Sequence, residues 1–318
     1  MTDLPESTLA TASAIFVQSN GQPYGGLVKI NKHIDYSKPN SDVYFESILV
    51  HEFTHILGFS RNFFLGSNRL FFEVDNDGVN RTYLKGEKLL AVAKKYFNCS
   101  DITGVELENI GGTGTAGSHW ESRILLGEYM NGYAYTEEQV ISEFTLAVLE
   151  DSGYYKPNYY TGGLMQFGKN KGCEFLTNKC VDEEGNVNDN FKNEFFSQVL
   201  YYGNIDPGCS SGRQSRAYHA IYEYEEVIPE PFNYYSDSKL GGRPSADYCP
   251  VSQEYWEEAE IIYYVCHCFT KGNGKYGTLI NYYDSNSIKH FNSNEDLYEI
   301  SGEIHSDHSF CALSSLFP

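Results

Sequence analysis

The chain has 318 residues, of which 23 are basic and 43 acidic, so its formal net charge at neutral pH is −20. This charge disfavours nucleic acids and anionic membrane surfaces as partners, because both would repel an acidic protein. No stretch approaches the roughly 18 uninterrupted apolar residues of a membrane-spanning helix. The length allows a sizeable core, most simply as two or three packed units.

The predicted elements of the first hundred residues are two strands, a helix, a hairpin and a second helix. They are, in order, Ser13–Gln18, Gly26–Asn31, Ser41–Leu57, a turn at Asp75–Gly78, and Leu84–Phe97. Gly58 is the expected end of the first helix, since glycine readily adopts the left-handed conformation that follows a helix.

The next predicted helix follows a glycine-rich segment, residues 110–118, that leads to His119. The spacing of Thr136 and Gln139 predicts a capping box, Val140, Phe144, Ala147 and Val148 form an apolar face, and Gly153 ends the helix. Beyond Asn158 the chain is rich in Gly, Asn, Tyr and Cys, with short strand-like runs such as Ile261–Val265. We expect a loop-rich module stapled by disulfides there.

Eight cysteines favour disulfides and an oxidising compartment, although their pairing cannot be derived from the sequence. Cys173 and Cys180 bracket a short loop. The spacing in Cys266-His267-Cys268 is too tight for a usual zinc site.

The first twenty residues carry Asp3 and Glu6 instead of the positive charge of an export signal, and the end of the chain has no lipid-anchor signal. We therefore expect a mature form, a fragment or the product of a truncated gene model.

The strongest chemical signal is His51-Glu52-Phe53-Thr54-His55. Residues four apart share one face of a helix, so both imidazoles can bind one metal ion. Glu52 lies beside that face, where it can reach a water on the metal without binding the metal itself. This His-Glu-x-x-His arrangement is typical of zinc peptidases.

A catalytic zinc ion needs a third protein ligand. Among metzincins this is commonly a histidine three residues after the helix glycine, but Arg61 occupies that position. His119 is the best candidate, because the preceding glycines allow the backbone to approach the metal closely. Met130, in a turn-forming sequence, fits the methionine that metzincins place beneath the metal. The alternative is a downstream glutamate, as in gluzincins, for which Glu87 is the best candidate.

Five segments resemble the leishmanolysin family of zinc metallopeptidases, a metzincin branch with a long insertion before the third histidine. They are His51–Ser60, Gly117–Glu121, Phe144–Tyr155, Gly172–Cys180 and Ala246–Pro250. The resemblance covers about residues 21–250. It implies one zinc ion bound by His51, His55 and His119, Glu52 as general base, and Met130 beneath the site.

The resemblance also implies an α+β fold, with a metzincin-like catalytic domain, a central helical segment and a cysteine-rich C-terminal module. We expect the parts to be residues 1–118, 119–200 and 201–318. Only fifty residues precede His51, whereas family members carry an export signal, a propeptide and more of the catalytic sheet there. Part of the sheet whose edge would bind an extended substrate is therefore expected to be missing.

The predicted function is that of an extracellular or cell-surface zinc endopeptidase acting on proteins or peptides, with tolerance for apolar side chains. The alternative is a catalytically impaired surface or matrix-binding protein that retains the zinc site. The sequence defines neither the physiological substrate nor the oligomeric state.

Overall fold

The computed structural model describes residues 2, 4–5, 8–33, 41–75, 77–133, 139–161, 165–182, 184–192, 194–196, 207–209, 216–219 and 221–254; at 41–44, 113, 161, 207–209, 216–219 and 253–254 it describes the backbone alone. The chain forms two compact units. One unit comprises Met1–Gln198 and Ile221–Val251, and the other comprises Val199–Ala220 and Ser252–Pro318. Helices and small sheets are mixed along the chain, as expected for the α+β class. The three-part division of the chain stays a prediction.

The first unit opens with an antiparallel hairpin packed against a long helix. Strands β1 (Ala10–Val17) and β2 (Pro23–Ile30) pair with Ala10 opposite Ile30. Helix α1 (Ser41–Ile56) lies so close to the hairpin that a Cβ atom on Gly26 would stand 2.6 Å from Ile56 Cγ1. The two predicted strands and the predicted helix are confirmed, although both strands begin three residues earlier.

The segment between the second and third histidines contains a three-stranded antiparallel sheet and two helices. These are α2 (Arg61–Gly66), β3 (Leu70–Val74), β4 (Asn80–Leu84), α3 (Glu87–Phe97) and β5 (Val105–Leu107), with the sheet order β3-β4-β5. The predicted hairpin is confirmed: Asp75 Oδ1 accepts hydrogen bonds from the amides of Asp77 and Val79, each at 2.9 Å.

Helix α3 begins at Glu87 and not at Leu84 as predicted. Leu84 is the last residue of β4, where it pairs with both Leu70 and Val105. The first turn of α3 is capped from a distance, because Asp151 accepts hydrogen bonds from the amides of Lys88 and Leu89 at 2.9 Å.

Within the described part of the chain after His119 there are three further helices: α4 (Ser122–Leu125), α5 (Glu143–Asp151) and α6 (Cys173–Thr177). The predicted start of α5 is wrong. Gln139 and Ile141 are not helical, Val140 forms a bridge with Glu128, and the cap is Ser142, whose side chain accepts from the Thr145 amide. The other half of the predicted capping box, Thr136, lies outside the described residues. The end is close to the expected position, with Gly153 at φ +76°.

The core of this unit is rich in aromatic side chains, and two disulfides link distant segments of the unit. Phe59, Trp120, Phe144, Phe97 and Phe175 are at most 1% exposed. Cys99 pairs with Cys173 and Cys180 with Cys249, so the two cysteines that bracket the short loop both pair with distant partners. Of the helices within the described ranges, none has the length and apolarity needed to cross a membrane.

The remaining described strands are short. They are β6 (Pro207–Cys209), β7 (Arg216–His219), β8 (Tyr222–Glu223), β9 (Leu240–Gly241) and β10 (Ser252–Glu254). In the second unit β10, β7 and β6 form an antiparallel sheet in that order, while β8 and β9 pair within the first unit. The predicted strand Ile261–Val265 and the Cys266-His267-Cys268 triplet lie outside the described residues.

Candidate metal centre

Helix α1 presents His51 and His55 from one face, as their spacing predicts. Their rings meet edge to face with centroids 4.7 Å apart, and their Nε2 atoms are separated by 3.1 Å. After the helix, Gly58 has a φ of +120°, which turns the chain so that the Phe59 carbonyl faces back towards His55. The end of the helix therefore also fixes the direction of its second imidazole.

His119 completes the group from the end of the glycine-rich segment. Its Nε2 lies 3.2 Å from Nε2 of His51 and 3.2 Å from Nε2 of His55. Arg61 supports this segment, because its amide donates to Ser118 Oγ and its side chain packs against Gly117. The residue that occupies the short-spacing position for a third histidine thus contacts the segment that delivers His119.

Each imidazole uses its other nitrogen to donate to a backbone carbonyl. His51 Nδ1 donates to Tyr129 O at 2.6 Å, His55 Nδ1 to Phe59 O at 2.6 Å, and His119 Nδ1 to Thr115 O at 2.9 Å. A carbonyl can only accept, so each Nδ1 carries the proton. In the neutral rings, the Nε2 lone pairs therefore point at one another.

This arrangement fits a divalent metal ion. Nitrogen ligands about 2.0–2.1 Å from zinc at tetrahedral angles are separated by about 3.3 Å, close to the 3.1–3.2 Å observed. Burial lowers the pKa of all three imidazoles, that of His55 to about 3, which keeps the rings neutral. Three neutral imidazoles whose Nδ1 atoms donate to carbonyls are a donor set that suits a divalent ion such as zinc.

Glu52 is placed beside the histidines but forms no part of their cluster. It is 5% exposed, and its Oε2 atom has no hydrogen-bond partner. Burial raises the pKa of this carboxyl to about 7. A buried carboxylate oxygen without a hydrogen-bond donor lowers the stability of the folded protein. The presence of such an oxygen next to the imidazole cluster is consistent with a role of Glu52 in proton transfer.

Met130 is fully buried, in a turn formed by residues 128–131. The carbonyl of Tyr129 in this turn accepts the His51 proton, and the carbonyl of Met130 accepts from the amide of Trp120, the neighbour of His119. The turn therefore contacts two of the three histidine segments. The predicted position of the Met130 side chain beneath the metal stays a prediction.

The other candidate ligands are placed elsewhere. Glu87 is at the start of α3 with its side chain 89% exposed, and the cluster of described metal-ligating atoms around His51 and His55 contains His119 and not Glu87. The gluzincin alternative therefore has no support in the structure. His33 is also exposed and outside this cluster.

The carbonyls that orient the imidazole rings could not be predicted from the sequence, because every residue has a backbone carbonyl whatever its side chain. A buried acidic cluster was not predicted either; it is formed by Glu106, Glu121 and Asp247, whose carboxylate oxygens lie within 4.8 Å of one another. Arg81 Nη1 donates to Glu106 Oε1 at 2.5 Å and to Asp247 Oδ2 at 2.7 Å. Since Glu121 follows His119 by two residues, the acidic cluster anchors the chain directly behind the third histidine.

Comparisons with known proteins show which family the chain resembles. The model of the leishmanolysin family of peptidases matches residues 1–316. A leishmanolysin homolog from Crithidia fasciculata is 33% identical over 248 residues, covering 76% of this chain and 36% of that protein. Leishmanolysin from Leishmania tropica is 31% identical over 257 residues, covering 77% and 36%.

A leishmanolysin-like peptidase from Drosophila melanogaster is 34% identical over 200 residues, covering 58% of this chain and 29% of that protein. The chain thus spans about a third of the length of the relatives it matches. Because the family model matches nearly every residue, the chain belongs to the leishmanolysin family of metallopeptidases.

Proposed function

We propose that the protein is a zinc-dependent endopeptidase in which His51, His55 and His119 bind one zinc ion and Glu52 is the general base. The observation that carries the proposal is the convergence of three Nε2 atoms at 3.1–3.2 Å, each on a ring whose Nδ1 proton is committed to a carbonyl. Membership of a metallopeptidase family supports the same reaction.

Zinc and Glu52 have different roles in the proposed reaction. Bound zinc would supply a Lewis acid that polarises the scissile carbonyl and acidifies water. Glu52 accepts a proton from the attacking water at Oε2, the atom without a hydrogen-bond partner, and returns it to the departing amine. Its place on α1, next to His51, keeps this carboxylate fixed relative to the ligands.

The architecture is proposed to be that of the metzincins. The long helix α1, the distant third histidine and the buried turn at Met130 support this assignment. In this arrangement Met130 lies beneath the metal and the β1–β2 hairpin belongs to the catalytic sheet.

Proteins or peptides are the proposed substrates, and the extracellular space or the cell surface is the proposed location. The two disulfides support an oxidising environment, since cytosolic proteins rarely keep such bonds. The net charge of −20 argues against nucleic acid as a ligand.

The proposal is tested by cleavage of a fluorogenic peptide library with the zinc-loaded 318-residue chain. Glu52→Gln at equal zinc occupancy is expected to lower turnover about 100- to 10,000-fold, the usual contribution of a general base. Glu46→Gln is the matched control: Glu46 lies on the same helix with its side chain exposed, and its loss should leave turnover unchanged.

Equal inactivity of the wild-type protein and Glu52→Gln, with zinc bound and the fold intact, would contradict the proposal. It would favour the alternative of a surface or matrix-binding protein that retains the metal. Cleavage that continues undiminished in Glu52→Gln would instead exclude Glu52 as the base.

A further inference from the structure

Glu128 is a buried carboxyl whose role the reaction does not explain. It is 1% exposed and accepts from two directions. Its Oε2 accepts from the Met130 amide at 2.5 Å, and its Oε1 accepts from Ser142 Oγ at 2.7 Å and Thr145 Oγ1 at 2.6 Å. The Ser142 amide adds a longer contact of 3.3 Å. One side chain therefore joins the turn at residues 128–131 to the first turn of α5.

That turn is connected to two of the three imidazoles. His51 Nδ1 donates to the Tyr129 carbonyl, one residue after Glu128. Trp120, the neighbour of His119, donates its amide to the Met130 carbonyl at 3.0 Å and its indole Nε1 to Thr145 Oγ1 at 2.9 Å. Glu128 and Thr145 thus form a fully buried link between the two histidine segments that are most distant in sequence.

The hydrogen bond that orients His55 does not involve Glu128 or Thr145. Nδ1 of His55 donates to Phe59, four residues later on the same segment. A change at Glu128 should therefore act first on the orientation of His51 and on the position of the segment that carries His119. Groups that orient metal ligands in this way commonly alter metal affinity or activity about 10- to 100-fold when they are removed.

We propose that Glu128 is a positioning residue of the metal centre: it fixes the backbone turn whose carbonyl aims His51 and, through Thr145 and Trp120, the segment that carries His119. The inference rests on the proposed function only in taking the histidines as ligands. It is tested first by metal binding, which does not depend on peptide cleavage.

The main variant is Glu128→Gln in the full chain. Glutamine has the same size but a single acceptor oxygen, so either the Met130 amide or the hydroxyl pair on α5 loses its acceptor. We expect about a tenfold loss of zinc affinity, measured by competition with a chelating indicator. We also expect a changed visible absorption spectrum of the cobalt-substituted protein, because that spectrum reports ligand geometry directly.

Asp151→Asn is the matched control. Asp151 is a carboxyl with a largely buried side chain that accepts two hydrogen bonds, from the Lys88 and Leu89 amides, and pairs with Arg69; these interactions cap α3 and involve none of the histidine segments. Its loss should lower the unfolding midpoint while leaving zinc affinity and the cobalt spectrum as in the wild-type protein. If lower stability alone weakened zinc binding, zinc affinity would fall in both Glu128→Gln and Asp151→Asn.

A second pair of variants keeps the test decisive if Glu128→Gln does not fold. Thr145→Val removes the hydroxyl that links Glu128 to Trp120, whereas Thr145→Ser retains it. We expect Thr145→Val to weaken zinc binding and change the cobalt spectrum, and Thr145→Ser to restore both towards wild-type values.

Wild-type zinc affinity and an unchanged cobalt spectrum in both Glu128→Gln and Thr145→Val would overturn the positioning role, while cleavage by the wild-type protein would leave the proposed function intact. Conversely, a wild-type protein that binds zinc but cleaves no peptide would refute the proposed function, and the affinities would still decide the role of Glu128. A wild-type protein that binds no zinc would refute both.

Discussion

His51 donates its Nδ1 proton to the carbonyl of Tyr129 at 2.6 Å, which joins two residues 78 positions apart in the chain. The bond fixes the tautomer of His51 and connects the long helix to the turn that contains Met130. Because His119 is tied to the same turn through Trp120, the three-histidine cluster depends on a polar framework outside the helix that carries the sequence motif.

Removal of the third imidazole should abolish tight zinc binding. His119→Ala leaves two ligands, and we expect zinc affinity to fall by at least about 100-fold, since a structural or catalytic zinc ion needs three or more protein ligands. Glu87→Ala is the informative control, because Glu87 is the ligand of the alternative arrangement and its side chain is 89% exposed. The measurement is zinc retained after dialysis against a weak chelator. Zinc loss in Glu87→Ala with retention in His119→Ala would refute the assignment.

A side chain at Gly132 should clash sterically with neighbouring residues. A Cβ atom there would stand 2.5 Å from Thr115 Cγ2 and 3.4 Å from His119 Cγ. Because the Thr115 carbonyl holds His119 Nδ1, displacement of Thr115 moves the hydrogen bond that aims the ring. We expect Gly132→Ala to lower zinc affinity about tenfold, as measured by competition with a chelating indicator.

The control for this substitution is Gly114, which precedes Thr115 in the glycine-rich segment. A Cβ atom on Gly114 meets nothing within 4 Å, so Gly114→Ala should bind zinc as the wild-type protein does. An equal effect of the two substitutions would show that loop stiffness, and not contact with Thr115, determines the affinity.

The convergence of His51, His55 and His119 could be predicted from the sequence because it depends on local regularities. Helical periodicity places His51 and His55 on one face, and the glycine run identifies the approach of His119. The start of α5 could not be predicted in the same way. The pattern of Thr136 and Gln139 predicts the cap, but the helix begins after Ser142, because Val140 pairs with Glu128 instead of entering the helix. Long-range pairing of this kind leaves no mark in the local pattern.

The disulfide between Cys99 and Cys173 should be a major source of stability in the first unit. It closes a loop with a sequence separation of 74 residues and joins the end of α3 to the start of α6. On the chain-entropy account, a loop of this length contributes about 4 kcal/mol to the free energy of unfolding. The double substitution Cys99→Ala with Cys173→Ala should lower that free energy by about this amount, as measured by urea denaturation.

Zinc affinity provides a second readout for the disulfide variant. Neither cysteine contacts a histidine carbonyl partner, so the folded variant should bind zinc with unchanged affinity. A wild-type denaturation curve in the double variant would contradict the pairing, as would recovery of a free thiol at either position in the native protein.

The buried carboxyl of Glu108 should make stability depend on pH. It is fully buried, its Oε2 has no partner, and burial raises its pKa to about 8 despite the hydrogen bond from the Ile110 amide. The unfolded chain loses this proton near pH 4.5, so the folded state holds an extra proton between these values. The stabilising contribution is complete below pH 4.5 and is lost as the pH rises towards 8.

Glu108→Gln removes this titration. Each pKa unit corresponds to about 1.4 kcal/mol, so the variant should gain up to several kcal/mol over the wild-type protein between pH 5.5 and 8.5, as measured by urea unfolding at both values. Glu73→Gln, at an exposed position on β3, should instead follow the wild-type pH profile. Parallel profiles for the wild-type protein and Glu108→Gln would mean that Glu108 stays ionised in the folded protein.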